Sequence, residues 1–590
     1  MTIELRRKKK SDVDRKKREQ LQDLTKRKSA GAKLAFQERI SALAIKTFGR
    51  FSGKLEQSMP TLGEDLMMSN YFLSPQAFLS MIIFVTILSI PIAALGLLMT
   101  LITRSPMFLS MALVPIAVFA IGLTLPKTSR SSRANAIDGE LAFVVGYLSV
   151  LITGGISAIE LFRRLSLSKL YPASAKEARR ILLNVDVLAM DPITAVERAA
   201  RYSPNKMFSD FLAGYIAVLK IGGDIRSFMD QKQKEVFNHR SIKLKSATEF
   251  VGTLAEAYLA ATVVMGSSLF ILQIVSAMVQ KGELNFNMMY FYAGVFMPML
   301  SGVMLFLLHA IQVKEPLARI RHHIIFMAGL AMVPIMLFVV PIDQPSYVKL
   351  AIGLAIATTP PAIISGIESK RKAAIERMLP SFVLDLAEVR KTGLAPEKCI
   401  EQLATRNYGS LSKNVQRMAT QVSWGVPLNK VLKDFGKDVN SWFVSSIGFI
   451  LLEVVEVGGG TTGLFTALAD FTQRTRELEK ERKSMFRPYI FMPYIGAVLT
   501  IASTVLIITL MTTQLNSLAA GGSGIVTVRV EDTKMLTDVM LMAAVLQGWL
   551  MGIVGGKMAE WSVGAGYKHA TALAVICVAT AYLISNFVKF

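Results

Sequence analysis

Few side chains in this sequence have the types and spacing that chemistry requires. Glu453 and Glu456 stand at i, i+3, which on a helix puts two carboxylates on one face, as an acid–base pair would need. Alone, such a pair suits a structural or docking role better. Gly458, Gly459 and Gly460 form a triplet of the kind that cradles phosphate, but no strand precedes it, so a turn between helices is the plainer reading. The stretch GIVGGK at 552–557 lacks the spacing of a nucleotide-binding loop and sits at a membrane edge. His322 and His323 have no further ligands nearby. Five histidines and two cysteines supply no convincing metal cluster, so no metal and no other cofactor is expected. Cys399 lies in a polar stretch and Cys577 in an apolar one; both should be reduced thiols. The chain therefore reads as a non-enzyme.

The elements around these residues belong to a membrane protein. The chain has 590 residues, 52% of them hydrophobic, with mean hydropathy +0.44 and net charge +23. Apolar residues come in blocks, and the charge lies between the blocks. Runs of about 18 or more apolar residues are long enough to cross a hydrocarbon core. Nine such spans are expected: 77–103, 107–125, 258–279, 288–311, 324–341, 350–367, 489–511, 539–556 and 571–588. The first begins too late to be a cleavable signal peptide. Residues 1–50 are basic and helix-prone. They read as a solvated tail, or as an arm on anionic lipid or a partner; no aromatic residue interleaves the charges, which argues against nucleic acid.

Two polar, helical islands interrupt the spans, and they resemble each other. Gly155 and its following helix echo Gly393 and its helix; Phe208 echoes Phe443, and Gly222-Gly223 echo Gly458-Gly459. The near-constant offset predicts a duplicated unit. Leu141 to Ile156 is apolar all round but short for a span, and it is expected to be a buried core helix of the first island. In the second island, Val415, Met418 and Val422 line a helix stopped by Gly425; Leu428, Val431, Leu432 and Phe435 line one stopped by Gly436. Trp442 to Val455 should be the central buried helix, with Thr461 capping the next. That helix buries Leu464, Leu468 and Phe471, then becomes highly charged from Arg474 through Arg476 to Lys483. Ile525 to Val530 alternates as a short strand would.

Loops assigned to the outside carry few basic residues: Arg104, Lys281, Lys349, Arg529 and Lys534. The tail and both islands carry dozens. The bias predicts an N-terminus and both islands inside the cytoplasmic membrane and a C-terminus outside. Span interiors are nearly free of ionisable groups, which argues against a pump.

Glu456-x-Gly458-Gly459-x-x-x-Gly463-Leu464, then Ala467 to Asp470 and a charged helix, resembles the signature of type II secretion F domains. Pro380 and Lys391-Thr392-Gly393-Leu394 fit the same pattern. The first copy has Gly222-Gly223-Asp224 and Phe228 but departs at Lys220, where the acidic residue is missing. Nine spans, with a hairpin before each island, look like the archaellum (archaeal flagellum) platform branch, FlaJ/ArlJ, related to TadC. The resemblance implies an all-α polytopic membrane protein with two duplicated cytoplasmic helical bundles. It implies a platform that docks a hexameric secretion ATPase and supports assembly, and rotation, of a filament of pilin-like subunits. Other archaellum motor proteins, the lipid bilayer and a second copy in a homodimer are the further partners it implies. On it, Glu453, Glu456, Gly458, Gly459, Gly460, Arg474 and Arg476 are candidate docking or coupling residues, with Gly222, Gly223, Asp224 and Arg226 in the first copy. The implied layout is a basic region (1–76), a hairpin (77–125), helical domains at 126–250 and 368–488, four spans within 251–367, and three spans with an outside loop (512–537) in 489–590. An adhesive archaeal pilus platform or a type II secretion-like system fits nearly as well; a parallel-repeat transporter is the more distant alternative.

Overall fold

Long apolar runs without a breaking residue fold here as long helices. The computed structural model describes residues 42–69, 71, 73–103, 106–279, 290–312, 321–339, 341, 343–458, 462–520 and 530–587, and among these there is helix and turn but no strand. The protein is all-α. In chain order the helices are α1 (Leu62–Ser69), α2 (Pro75–Thr103), α3 (Val114–Ile152), α4 (Ala158–Ser166), α5 (Pro172–Leu182), α6 (Pro192–Arg201), α7 (Lys206–Ile221) and α8 (Ile225–Val279). There follow α9 (Met297–Ile311), α10 (Arg321–Leu330), α11 (Met332–Phe338), α12 (Ser346–Arg390), α13 (Pro396–Leu403), α14 (Ser412–Ser423), α15 (Leu428–Val439) and α16 (Trp442–Gly458). The last four are α17 (Thr462–Phe486), α18 (Phe491–Ala520), α19 (Val530–Glu560) and α20 (Val563–Phe587).

Seven helices among the described residues are long and apolar enough to cross a membrane. Of the nine spans expected, the two outside that set are 324–341, which lies on a shorter apolar helix over His322–Phe338, and 258–279, which is the C-terminal part of α8. The expected strand falls at 525–529, outside the described residues, and Val530 already begins α19. Leu141 to Leu151 is buried throughout, but it is the end of α3 and not a separate helix. Between Pro126 and Thr153 nothing breaks the helix, so span and core segment form one rod of 39 residues.

The duplication is visible as repeated order. The helices α3 to α8 are matched in order by α12 to α17. A long incoming helix comes first, then three short helices, a central helix and a long outgoing one. One device recurs in both copies. Asn205 caps α7 and donates from Nδ2 to Asp138 of α3 at 3.4 Å; Ser441, just before α16, donates from Oγ to Glu376 of α12 at 2.7 Å. Ser209 Oγ bonds the Ala200 carbonyl at 2.6 Å, and Ser445 Oγ bonds that of Gly436 at 2.9 Å. Gly436 therefore does not stop α15. A Cβ there would lie 3.3 Å from Ser445 Cα, so the glycine serves close packing, and Asn440 ends the helix in the left-handed region at φ 51°.

The chain packs as two compact units. One comprises the described residues up to Leu141 with Leu165–Leu167 and Pro172–Gly223. In it Leu62, Leu66, Phe78, Leu79 and Ile82 form a small apolar cluster, and Arg133 grips Glu177 through two nitrogens at 2.9 and 2.5 Å. The other comprises Ala142–Arg164, Ser168–Tyr171 and Asp224 onward. Here Phe143 meets Trp442 edge-on at 4.1 Å and Tyr147 stacks on Phe449 at 5.6 Å. Its apolar bundle depends on glycine at the crossing of α19 and α20. A Cβ on Gly552 would lie 2.4 Å from Ala570 Cα, and one on Gly556 would lie 2.1 Å from Gly566 Cα. Backbone cannot yield as a side chain can, so only glycine lets these helices touch.

Gly552→Val and Gly556→Val should therefore each lose about 1–3 kcal/mol or more of packing energy. The thermal midpoint of the detergent-purified protein should fall in both. Gly302→Val, at a helical glycine with no atom within 4 Å of the new Cβ, is the control and should change little. Equal midpoints for all three would refute the close-packing account.

Candidate functional site

The polar end of the second unit can be located from helix directions. The apolar stretch of α12 ends near Ile367, and Glu376 follows nine residues later, about 13 Å along the axis at 1.5 Å per residue. Glu376 holds Ser441 and lies 3.7 Å from Lys483, which is close to the return into apolar α18. The start of α16 is thus near the spans. Ser445 meets Gly436, and a Cβ on Gly448 would meet the Leu432 carbonyl, so α15 and α16 run antiparallel. The far end of α16, the start of α15 and the start of α17 accordingly lie away from the spans.

Glu453 sits at that far end, buried on α16. Arg164 of α4 donates from Nη1 to its Oε2 at 2.9 Å and from Nε to Glu160 Oε1 at 3.1 Å. The same Nη1 lies 3.9 Å from Glu456 Oε2, and Arg163 lies 3.6 Å from Glu160. One guanidinium therefore serves three carboxylates on two helices far apart in sequence. Burial pushes the Glu453 carboxyl above its ordinary value, with Arg164 pulling it part of the way back. The bond to Glu453 in turn holds Arg164 above its usual range. A carboxylate committed this way is a clamp, not a free base. Sequence reasoning paired Glu453 with Glu456 and missed Arg164. A signal was present: aligned on Gly155 and Gly393, Arg164 matches Gln402, and aligned on Gly222 and Gly458, Glu453 matches Ala217 and Glu456 matches Lys220. Each half of the clamp exists in one copy only.

The other expected residues are dispersed. Gly458 is the last residue of α16; Gly459, Gly460 and Thr461 lie outside the described residues. Arg474 and Arg476 lie on α17 about 18 and 21 Å along the axis from Thr462. Arg476 is half-buried, and its Nη1 has no hydrogen-bond partner. In the first copy Gly222 ends α7 at φ 74°, and the Gly223 amide donates to the Val218 carbonyl. Asp224 accepts the Arg226 amide at 2.9 Å, and Arg226 Nη2 reaches the Thr153 carbonyl at 3.3 Å. Lys220 pairs with Glu197 at 3.3 Å. His323 Nδ1 shares a hydrogen bond with the Tyr567 hydroxyl at 2.7 Å. Among the described residues no group of three or more His, Cys, Asp or Glu side chains is placed to hold a metal, and both cysteines are free and buried.

The type II secretion system (T2SS), protein F family matches twice, over residues 145–273 and 382–509. An uncharacterized protein of Methanocaldococcus jannaschii is 25% identical over 502 residues, covering 78% of this chain and 82% of its own. Flagella accessory protein J of the same organism is 21% identical over 399 residues, covering 64% and 69%. No solved structure matches.

The clamp yields a charge-swap test. Arg164→Glu or Glu453→Arg alone sets like charges together and should cost about 1–3 kcal/mol, less than the roughly 3–5 of a fully buried pair because Arg164 is 25% exposed. The double variant should recover at least half the loss in thermal midpoint. No recovery would show that the two residues are not coupled.

Proposed function

We propose that this membrane protein, which carries two copies of the type II secretion F domain, is the platform of an archaellum-type filament machine. On this reading it docks a cytoplasmic secretion ATPase and couples it to assembly of pilin-like subunits, without chemistry of its own. The observation that carries the reading is the duplicated helical unit inserted between apolar helices, with a similarity to flagella accessory protein J alongside. The domain layout and the candidate residues fit this role. Polar helices such as α17 run unbroken from the membrane-distal end toward the spans, so a push at one end reaches the other as a rigid displacement. Arg474 and Arg476 lie midway along that lever. A pilus or secretion-system platform is the alternative, and the two differ in which filament is lost on deletion. Other motor components and a second copy of the chain are further partners on this reading. The basic islands face the cytoplasm and the C-terminus faces out.

Orientation is tested by cysteine labelling. Ser523→Cys should react with an impermeant reagent on intact cells, whereas Lys176→Cys and Lys413→Cys, both at exposed positions, should react only after permeabilisation. Labelling of Lys413→Cys on intact cells would overturn the reading.

Function is tested on the purified chain and in cells. Alone it should hydrolyse no ATP above background. Deleting the gene should abolish one class of surface filament. Arg474→Glu with Arg476→Glu should lower filament counts severalfold while membrane abundance stays near normal. Normal filaments in that variant would reduce α17 to a spacer.

A further inference from the structure

Each copy ends its second short helix in the same unusual way. In the second copy α14 stops at Ser423, Trp424 follows, and Gly425 turns left-handed at φ 75° before Pro427 and α15. In the first copy α5 runs into a π-helical turn over Leu183–Val187, Leu188 follows, and Ala189 turns left-handed at φ 50° before Pro192 and α6. The first copy has one more residue between its left-handed residue and its proline, and only its helix passes through a π-turn first. The left-handed conformation is held at Ala189 even though its Cβ makes it costly. Both turns place large apolar side chains in solvent: Trp424 is 77% exposed in the second copy, and Val187 and Leu188 are 68% and 57% exposed in the first. Between Leu394 and Phe491, Trp424 is the one exposed large hydrophobic residue among the described residues. A large apolar side chain left in water at a fixed turn in both copies, an indole in one and a leucine in the other, is what a binding anchor looks like before its partner arrives.

The surroundings state what that partner must offer. The exposed face of α14 that ends at Trp424 carries Arg417 and Lys413 about two and three turns before it, and α15 follows with exposed Lys430 and Lys433. Arg417 is neutralised by Asp438; the three lysines are not paired with any carboxylate in the ion pairs found among the described residues. In the first copy the exposed Lys176 and Arg179 precede the π-turn, and Arg198 contacts Met190 beside it. Around Trp424 the ligand surface is therefore apolar at its centre and acidic at its rim; at Leu188 the exposed Asp186 and Asp191 stand among the basic residues. Trp424 lies beside the start of α15, the end away from the spans, which favours a cytoplasmic protein over the lipid surface.

We propose that Trp424 and Leu188 are matched anchors, each seating in the same apolar pocket of a cytoplasmic homo-oligomer, with carboxylates at the pocket's rim meeting the lysines around Trp424. Two equivalent anchors in one chain suit a partner that repeats one pocket by symmetry. The proposal rests on the platform reading above and assigns to it the contact surface, which is distinct from the Arg164–Glu453 clamp.

The test uses the full chain in nanodiscs and the purified hexameric secretion ATPase of the same organism. Trp424→Ala and Leu188→Ala should each weaken binding about tenfold, and the double variant by more than either, while Gln416→Ala, at another exposed position, leaves it unchanged. Both anchors are exposed, so thermal midpoints should hold. Binding should weaken with salt. If wild type and variants bind the ATPase alike, the anchors are refuted and the platform reading stands. If wild type does not bind it at all, both fall. A nitroxide on Trp424→Cys reports the competing surface, since both native cysteines are buried. Relaxation of that label by oxygen but not by aqueous nickel would place the turn in lipid and overturn the proposal; the reverse supports it.

Discussion

One buried hydrogen bond, from the Ser441 hydroxyl to Glu376, ties the central helix of the second unit to its incoming helix. It fixes where the central helix starts relative to the incoming one. From there geometry leaves little freedom. The helix must rise away from the spans, α15 must run back beside it, and the turn carrying Trp424 must sit at the far end. The buried carboxylate is stable there because Ser441, Lys372 and Lys483 all approach it. The first unit repeats the arrangement with Asp138 and Asn205, a carboxylate and a capping side chain at the matching places.

That registration explains what was legible in the sequence. Apolar runs and their lengths announced the spans, because the bilayer imposes a length on any helix that crosses it. The amphipathic stripes of α14 and α15 announced their buried faces: Val415, Met418, Val422, Val431 and Leu432 are all buried. The resemblance carried by Gly458-Gly459 and the charged helix agreed with the family match. Continuity was not legible. The expected span 350–367 and the second island beginning at 368 are one helix, α12, which runs unbroken through Pro360, Pro361 and Pro380. Gly436 read as a stop; its role is contact with a neighbour that local sequence does not reveal.

The clamp was illegible for a different reason. Arg164 and Glu453 are distant in sequence and lie in different copies, so neither periodicity nor spacing connects them. Only a comparison of the two copies isolates them, as charges that appear where the counterpart is neutral.

This divergence has a consequence for assembly. A duplicated unit whose copies stayed identical could pair with itself or with a neighbouring chain equally well. Placing the arginine in one copy and the glutamate in the other makes the unlike pairing favourable. Two second-copy helices would instead bring Glu453 and Glu456 against their equals, and two α4 helices would bring Arg163 and Arg164 together, each at a cost in repulsion and desolvation. The charges at Glu453 and Arg164 thus select the pairing of unlike copies over the pairing of like ones. The turns at Leu188 and Trp424, by contrast, both keep a left-handed residue next to an exposed apolar side chain. A feature that faces a partner repeated by symmetry is under pressure to stay the same in both copies, whereas a feature by which the copies recognise each other must differ.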